Sequence, residues 1–251
     1  MSTDQTKKPT GGKNYGSIGH LPLSRMGPSD HHVPEGMARI CCQKPRDKHD
    51  RIIVQEKLDG SNVGVAKVHG KLYPLTRSGY VANTSPHKQH HMFFDWVCDN
   101  AHRFDVLLND GERAVGEWLA LAHGTKYDLQ HEPFVLFDIM SGSKRITFDQ
   151  LCKRANGFTT PHAVSIGPSV SIENAMQSLG EFGKHGATEP IEGAVWRVER
   201  NAQDRQTHER AWKVDFLAKY VRPDKVDGKY LENVSGIKPV WNYEPAPLRI
   251  T

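Results

Sequence analysis

The sequence predicts an α+β fold of antiparallel sheets flanked by helices, on three observations. Apolar, β-rich runs stand next to one another: "RIIVQEKL" leads into "NVGVAKV", and "NVGVAKV" and "KLYPLT" flank His69-Gly70, a hairpin turn pair. Helical periodicity is confined to a few segments and does not alternate with single strands as β-α-β, which argues against a parallel doubly wound sheet. The length, 251 residues, suits one large domain or one domain with a small appendage, and is enough to bury a substantial core.

Taken in order, "MSTDQTKKPTGGKN" lacks an apolar core segment, so it is no secretory signal and reads as a flexible arm over 1–14. The Gly-, Pro- and Ser-rich stretch "YGSIGHLPLSRMGPSDHHVPEG" reads as an irregular lead-in. After the three strand-like runs, Phe93, Trp96, Val97, Phe104 and Leu107 or Leu108 recur at helical spacing between Pro86 and Asn109. "RAVGEWLA" and "PFVLFDIM" read as buried strands. Thr147 and Gln150 stand at capping-box spacing and open a short helix that ends by Gly157. "SIENAMQSLGEFG" is a second short helix stopped by glycine, and "IEGAVWRVE" and "AWKVDF" are strands. A domain over 15–222 is expected, followed by a trailing surface tail over 223–251 carrying "RPDKVDG" and "EPAP". No internal repeat is evident.

Apolar residues make up 37% and charged residues 25%, as in ordinary soluble proteins, and the net charge of +4 is compatible with a polyanionic partner. No run approaches the 18 apolar residues of a membrane span. Cys41, Cys42, Cys98 and Cys152 form no C-x-x-C pair, which reads as a reducing compartment without a zinc site, and a cytoplasmic location is expected.

The chemistry centres on "QEKLDGSNVGV". A lysine is a covalent nucleophile only when neutral, and Glu56 and Asp59 beside Lys57 would raise its pKa. A working nucleophile therefore needs cations from elsewhere. The chain supplies strand-borne groups in order: Arg77 in "TRSG", Glu117 in "VGEWL", Phe137 and Asp138 in "FVLFDI", Glu192 and Arg197 in "IEGAVWR", and Lys213 in "AWKVD". One physical reading covers them all. Cations gather a phosphate chain, carboxylates hold a divalent metal and a ribose, and an aromatic ring stacks on a base.

In these motifs the chain resembles the covalent nucleotidyltransferase superfamily of DNA ligases, RNA ligases and mRNA capping enzymes, over about residues 52–217. The Ser-Asn after the glycine resembles the ATP-dependent RNA ligases; DNA ligases and capping enzymes usually carry an arginine where Asn62 stands. The resemblance implies an ATP-grasp-like nucleotidyltransferase domain and ATP as AMP donor with Mg2+ or Mn2+. It implies Lys57 as the nucleophile that forms a lysyl-AMP phosphoramidate. The backbone at Glu56 would face adenine, Asn62 and Arg77 the ribose and phosphate side, Glu117 a ribose hydroxyl, and Phe137 the base. Asp59 belongs to the same nucleotide-binding motif. Glu192 would engage the metal, and Arg197 and Lys213 the phosphates. The partner implied is RNA, or DNA, with 5′-phosphate and 3′-hydroxyl ends.

Two departures accompany the match. Asp215 stands where the family's last motif has a second lysine, with Lys219 further on. About 30 residues follow "AWKVDF", too few for the OB-type domain of DNA ligases. A DNA nick ligase and a non-catalytic nucleotide- or RNA-end-binding module remain the competing readings. "HKQHH" reads as a solvated helix entry rather than a metal site. Arg222, Lys225 and Lys229 read equally as a phosphate-contacting patch or a solvated tail.

Overall fold

The computed structural model describes residues 7–155, 157–203 and 208–244. Two five-stranded sheets carry the fold. The first runs β1 (Gly19–His20), β10 (Arg210–Val221), β9 (Gly193–Gln203), β2 (Asp50–Lys57), β8 (Ala163–Gly167). The second runs β4 (Lys71–Thr76), β3 (Ser61–Val68), β5 (Glu112–Trp118), β6 (Phe134–Ser141), β7 (Lys144–Arg145). All pairings are antiparallel except the two-residue β1–β10 contact. The α+β expectation therefore holds.

Each sheet has its own core. Ile52, Val54, Trp196 and Val198 of the first pack with α1 (Glu35–Cys42) and α5 (Ile172–Leu179). Val63, Val65, Trp118 and Phe134 of the second pack with α2 (Lys88–Asp99), α3 (Ala101–Leu107) and α4 (Phe148–Arg154). The single helical region expected over 86–109 breaks at Asn100, whose side-chain amide donates to the Trp96 carbonyl at 2.8 Å. The β3–β4 hairpin turns at His69 and Gly70, both at positive φ (50° and 72°), which matches the twist of the strands it joins. Thr147 and Gln150 form the expected capping box on α4.

Both termini are more engaged than their composition implies. The first six residues lie outside the described set, but Asn14, at the end of the expected arm, is fully buried and its N–H donates to the Arg77 carbonyl at 3.1 Å. After β10 the chain continues through an exposed α6 (Glu232–Ser235), with contacts to the domain on either side of it. Tyr230 is buried, Asn242 donates to the Leu119 carbonyl (2.8 Å) and accepts from the Tyr127 N–H (3.0 Å), and Tyr243 meets Trp118 edge-on. Aromatic residues scattered through a Pro-rich polar segment anchor it. Among the described residues no helix is long and apolar enough to cross a membrane.

Candidate active site

A cavity of about 1270 Å³ opens between the two sheets. Lys57 ends β2 of one sheet and Ser61 begins β3 of the other, so Leu58-Asp59-Gly60 is the crossing point between the walls. This crossing is pinned. The Asp59 N–H donates to Tyr127 Oη at 3.0 Å, and the Gly60 N–H donates to Glu117 Oε1 at 3.1 Å. A Cβ on Gly60 would lie 2.4 Å from the Trp118 carbonyl oxygen, so close approach demands the glycine. The β2–β9 register pairs Lys57 with Gly193 and so brings Glu192 beside the lysine. Gly193 is equally constrained, since a Cβ there would lie 1.9 Å from the Tyr220 carbonyl.

Lys57 Nζ is ion-paired to Glu192 Oε2. Burial works to discharge the amine, but Glu192, Glu117 and Asp59 together outweigh it and hold the pKa above its ordinary value. Burial, aided by Glu192 and opposed by Lys57, pushes the Glu117 carboxyl up to about 8. Burial also raises Glu192, with Lys57 opposing. The site thus holds more carboxylate than its lysine can neutralise.

The opposite wall carries Asn62, directly across from Glu117, whose buried Oδ1 has no protein partner. Arg77 is exposed at the rim, with only a 3.5 Å contact to Ser17 Oγ. Phe137 is half-buried, its ring edge-on to Tyr15 at 5.2 Å. Beneath it, fully buried Asp138 accepts from Tyr15 Oη (2.9 Å), Arg145 Nε (3.0 Å) and both terminal nitrogens of Arg197 (2.7 Å each).

Glu56, Lys57, Asp59, Asn62, Arg77, Glu117, Phe137, Glu192 and Arg197 all line this cavity. Besides the Lys57–Glu192 pair and Glu117, three more have their side chains engaged. The Glu56 carboxylate accepts the Lys184 N–H at 2.8 Å and abuts Gly183. Asp59 is ion-paired to Lys225. Arg197 is bound by Asp138 and Glu199.

Lys213 is the exception and does not line the cavity. It is exposed and lies opposite Arg200, on the sheet face that elsewhere packs against α1 and α5. The cause is a β-bulge between Val214 and Phe216 that leaves Asp215 unpaired in the ladder. In a regular strand Lys213 and Lys219 would share a face; the extra residue puts them on opposite faces. Lys219 and Leu217 line the cavity instead, and Asp215 is ion-paired to Arg46 at 2.6 Å on the outside.

Sequence reasoning also missed Asp30, His123 and Tyr15 on the cavity wall. The first and last sit in segments read as lead-in, and His123 lies in a loop with no motif signal. Of the "HKQHH" group, His87 and His90 line the cavity, and His91 is exposed. Arg222 pairs with Asp224 and Lys229 with Glu189, so of the three C-terminal cations only Lys225 is turned toward the site.

A lysine at a sheet-crossing turn, facing carboxylates and cations across a cleft between antiparallel sheets, defines a nucleotidyltransferase-type ligase fold. A family model described as RNA ligase matches residues 50–221, more than half of the chain. The chain belongs to the RNA ligase family. It is similar in fold to a Naegleria gruberi RNA ligase mutant with ATP and Mn, at a TM-score of 0.50 and 16% identity, covering 81% of this chain and 59% of that one. A putative ATP-dependent DNA ligase from Aquifex aeolicus matches at a TM-score of 0.43 and 17% identity, covering 82% of this chain and 49% of that one. An uncharacterised protein of Methanocaldococcus jannaschii is 47% identical over 32 residues, 13% of this chain and 8% of its own length. The chain spans about half the length of the two solved structures.

Proposed function

We propose that the chain is an ATP-dependent RNA ligase, or the nucleotidyl-transferring portion of one, that joins 3′-hydroxyl and 5′-phosphate ends. The observation that carries this reading is the contact of Lys57 with Glu192 at the sheet crossing, inside a cavity large enough for a nucleotide. The Lys57 nitrogen attacks the α-phosphate of ATP; the N–P bond forms, the bond to the β-phosphate oxygen breaks, and pyrophosphate leaves with that electron pair. Before attack the ammonium must give up a proton, and Glu192 is the carboxylate in contact with it. The AMP then passes to a 5′-phosphate, and a 3′-hydroxyl displaces it.

Asn62, with its unpartnered Oδ1, Arg77, Glu117 and Phe137 would take the sugar, phosphate and base. Lys219, half-buried on the wall that carries Lys57 and Glu192, takes the phosphate role first expected of Lys213. Glu192 would hold a divalent cation. With no group of three His, Cys, Asp or Glu among the described residues that could hold an ion by itself, the site fits Mg2+ or Mn2+ bound mainly through phosphate and water, not zinc. That ion would supply charge neutralisation on the phosphates. The 2′-hydroxyl is what a protein can use to tell RNA from DNA, so strand choice is read with 3′-ends of both kinds.

Incubation with α-labelled ATP and Mg2+ or Mn2+, followed by a denaturing gel, tests the reading. A labelled band that vanishes in Lys57→Ala is expected. No band with either metal, after removal of pre-bound AMP, would sink it in favour of a nucleotide-binding module.

A further inference from the structure

Among the described residues of the C-terminal segment, Lys225 is the one buried cation, 4% exposed, and no motif accounts for it. Its Nζ is ion-paired to Asp59 of the nucleophile turn and donates to Thr125 Oγ1 at 2.9 Å. The same Asp59 Oδ2 accepts the Gly124 N–H at 2.8 Å. Gly124 is moulded to this arrangement: a Cβ there would lie 2.7 Å from Lys225 Nζ and 2.4 Å from the Val226 carbonyl. The segment is also tied to the other side of the site. The Arg222 N–H donates to the Glu192 carbonyl at 3.0 Å, Arg222 Nε to the Ile191 carbonyl at 2.6 Å, and the Lys225 N–H to the Arg222 carbonyl at 3.1 Å. One short stretch therefore bridges the backbone of Glu192 and the carboxylate of Asp59, the two positions that flank Lys57.

We propose that Lys225 is a positioning residue for lysine adenylation, holding Asp59 and the nucleophile turn in register with Glu192. This rests on the ligase reading above. Three carboxylates act on Lys57: Glu192, Glu117 and Asp59. With Lys225 in place, Asp59 has its own cation and its own amide donor, and Lys57 contacts Glu192 alone. Without Lys225, a half-buried carboxylate loses its counter-charge two residues from the nucleophile, and the crossing loses its tie to the segment that follows β10. The amine would then stand off the line of attack, where small misplacements are costly. Lys225 is not itself among the residues that line the cavity and meets it only through Asp59, so ATP binding is largely spared.

The test is the single-turnover rate of self-adenylation against ATP concentration for the wild type, Lys225→Met, Asp59→Asn and the double variant, with melting temperatures alongside. Lys225→Met should slow the rate constant at least about 10-fold and leave the half-saturating ATP within about two-fold. The double variant should be no slower than the slower single, because the pair acts as one unit. If Lys225→Met does not fold, Lys225→Gln, which can still reach Thr125, takes its place. Wild-type adenylation with an unimpaired Lys225 variant, or with losses that multiply in the double variant, overturns the positioning role alone. Absence of wild-type adenylation overturns the ligase reading, and the positioning role with it.

Discussion

Two groups of buried carboxylates, a short distance apart, are treated in opposite ways. Beneath the cleft, Asp138 and Glu199 are surrounded by donors. Asp138 has Tyr15, Arg145 and Arg197, while Glu199 has Arg51 (2.6 Å), Arg197 (3.2 Å) and the Phe148 N–H (2.6 Å). At the end of β2, of Glu56, Glu117 and Glu192 only Glu192 has a side-chain ion pair among the described residues, with Lys57. Glu117 and Glu56 each have a backbone donor, and Glu56 Oε1 is buried without a partner. Below the cleft, arginines outnumber the acids and lock two sheets together. Around Lys57, acids outnumber the cations, and burial shifts their protonation. The first arrangement serves the fold; the second leaves room for a substrate that brings its own charges and metal.

The largest effect should follow from breaking the lower group. Asp138→Ala would leave the Arg197 and Arg145 guanidiniums without the carboxylate they share, and Tyr15 Oη without its partner. Removing one partner of such a buried set costs about 3–5 kcal/mol. Urea unfolding at neutral pH reads it directly, and a loss below about 1 kcal/mol would erase the distinction between the two groups.

In the upper group the sign reverses. Burial, opposed by the Lys184 N–H, raises the Glu56 carboxyl from 4.5 to about 7. Between those values the folded protein keeps a proton that the unfolded chain has released. Stability therefore falls as pH rises from about 4.5 to about 7, and the full penalty stands above that. At about 1.4 kcal/mol per unit it amounts to about 3 kcal/mol. Glu56→Gln keeps the acceptor for Lys184 and removes the titration. It should match the wild type near pH 4.5 and exceed it by up to that amount at pH 8. Parallel stability curves from pH 4.5 to 8 would show that Glu56 is not the strained member.

Most strands and the nucleophile turn were legible in the sequence, because two-residue alternation and turn chemistry are local signals. "RIIVQEKL", "KLYPLT" around His69-Gly70, and the Thr147–Gln150 box all appear where the pattern puts them. What was not legible depends on partners distant in the chain. β8 and β1 are short edge strands whose pairing, not composition, defines them. The burial of Asn14 and Lys225 comes from contacts with Arg77 and Asp59, far along the chain. The position of Lys213 away from the cavity has a sharper cause: a single unpaired residue inverts a face, and nothing in "AWKVDFLAK" marks Asp215 as that residue.

That inversion yields the smallest and most discriminating prediction. Lys219 faces the cavity, with Asp30 Oδ1 3.5 Å from its Nζ, and burial followed by the nearby Lys57 charge lowers its pKa. A cation held this weakly can exchange Asp30 for a phosphate at little cost, and it sits on the wall that carries Lys57 and Glu192. Lys213 lies across the sheet from that wall. Lys219→Ala should slow self-adenylation about 100-fold and Lys213→Ala no more than about two-fold, with melting temperatures close to wild type in both. Equal losses would mean that the bulge does not persist in solution and that strand regularity, not the observed register, sets which lysine meets the phosphates. A loss confined to Lys213 would place the phosphate chain outside this cavity and separate the fold's cleft from its chemistry.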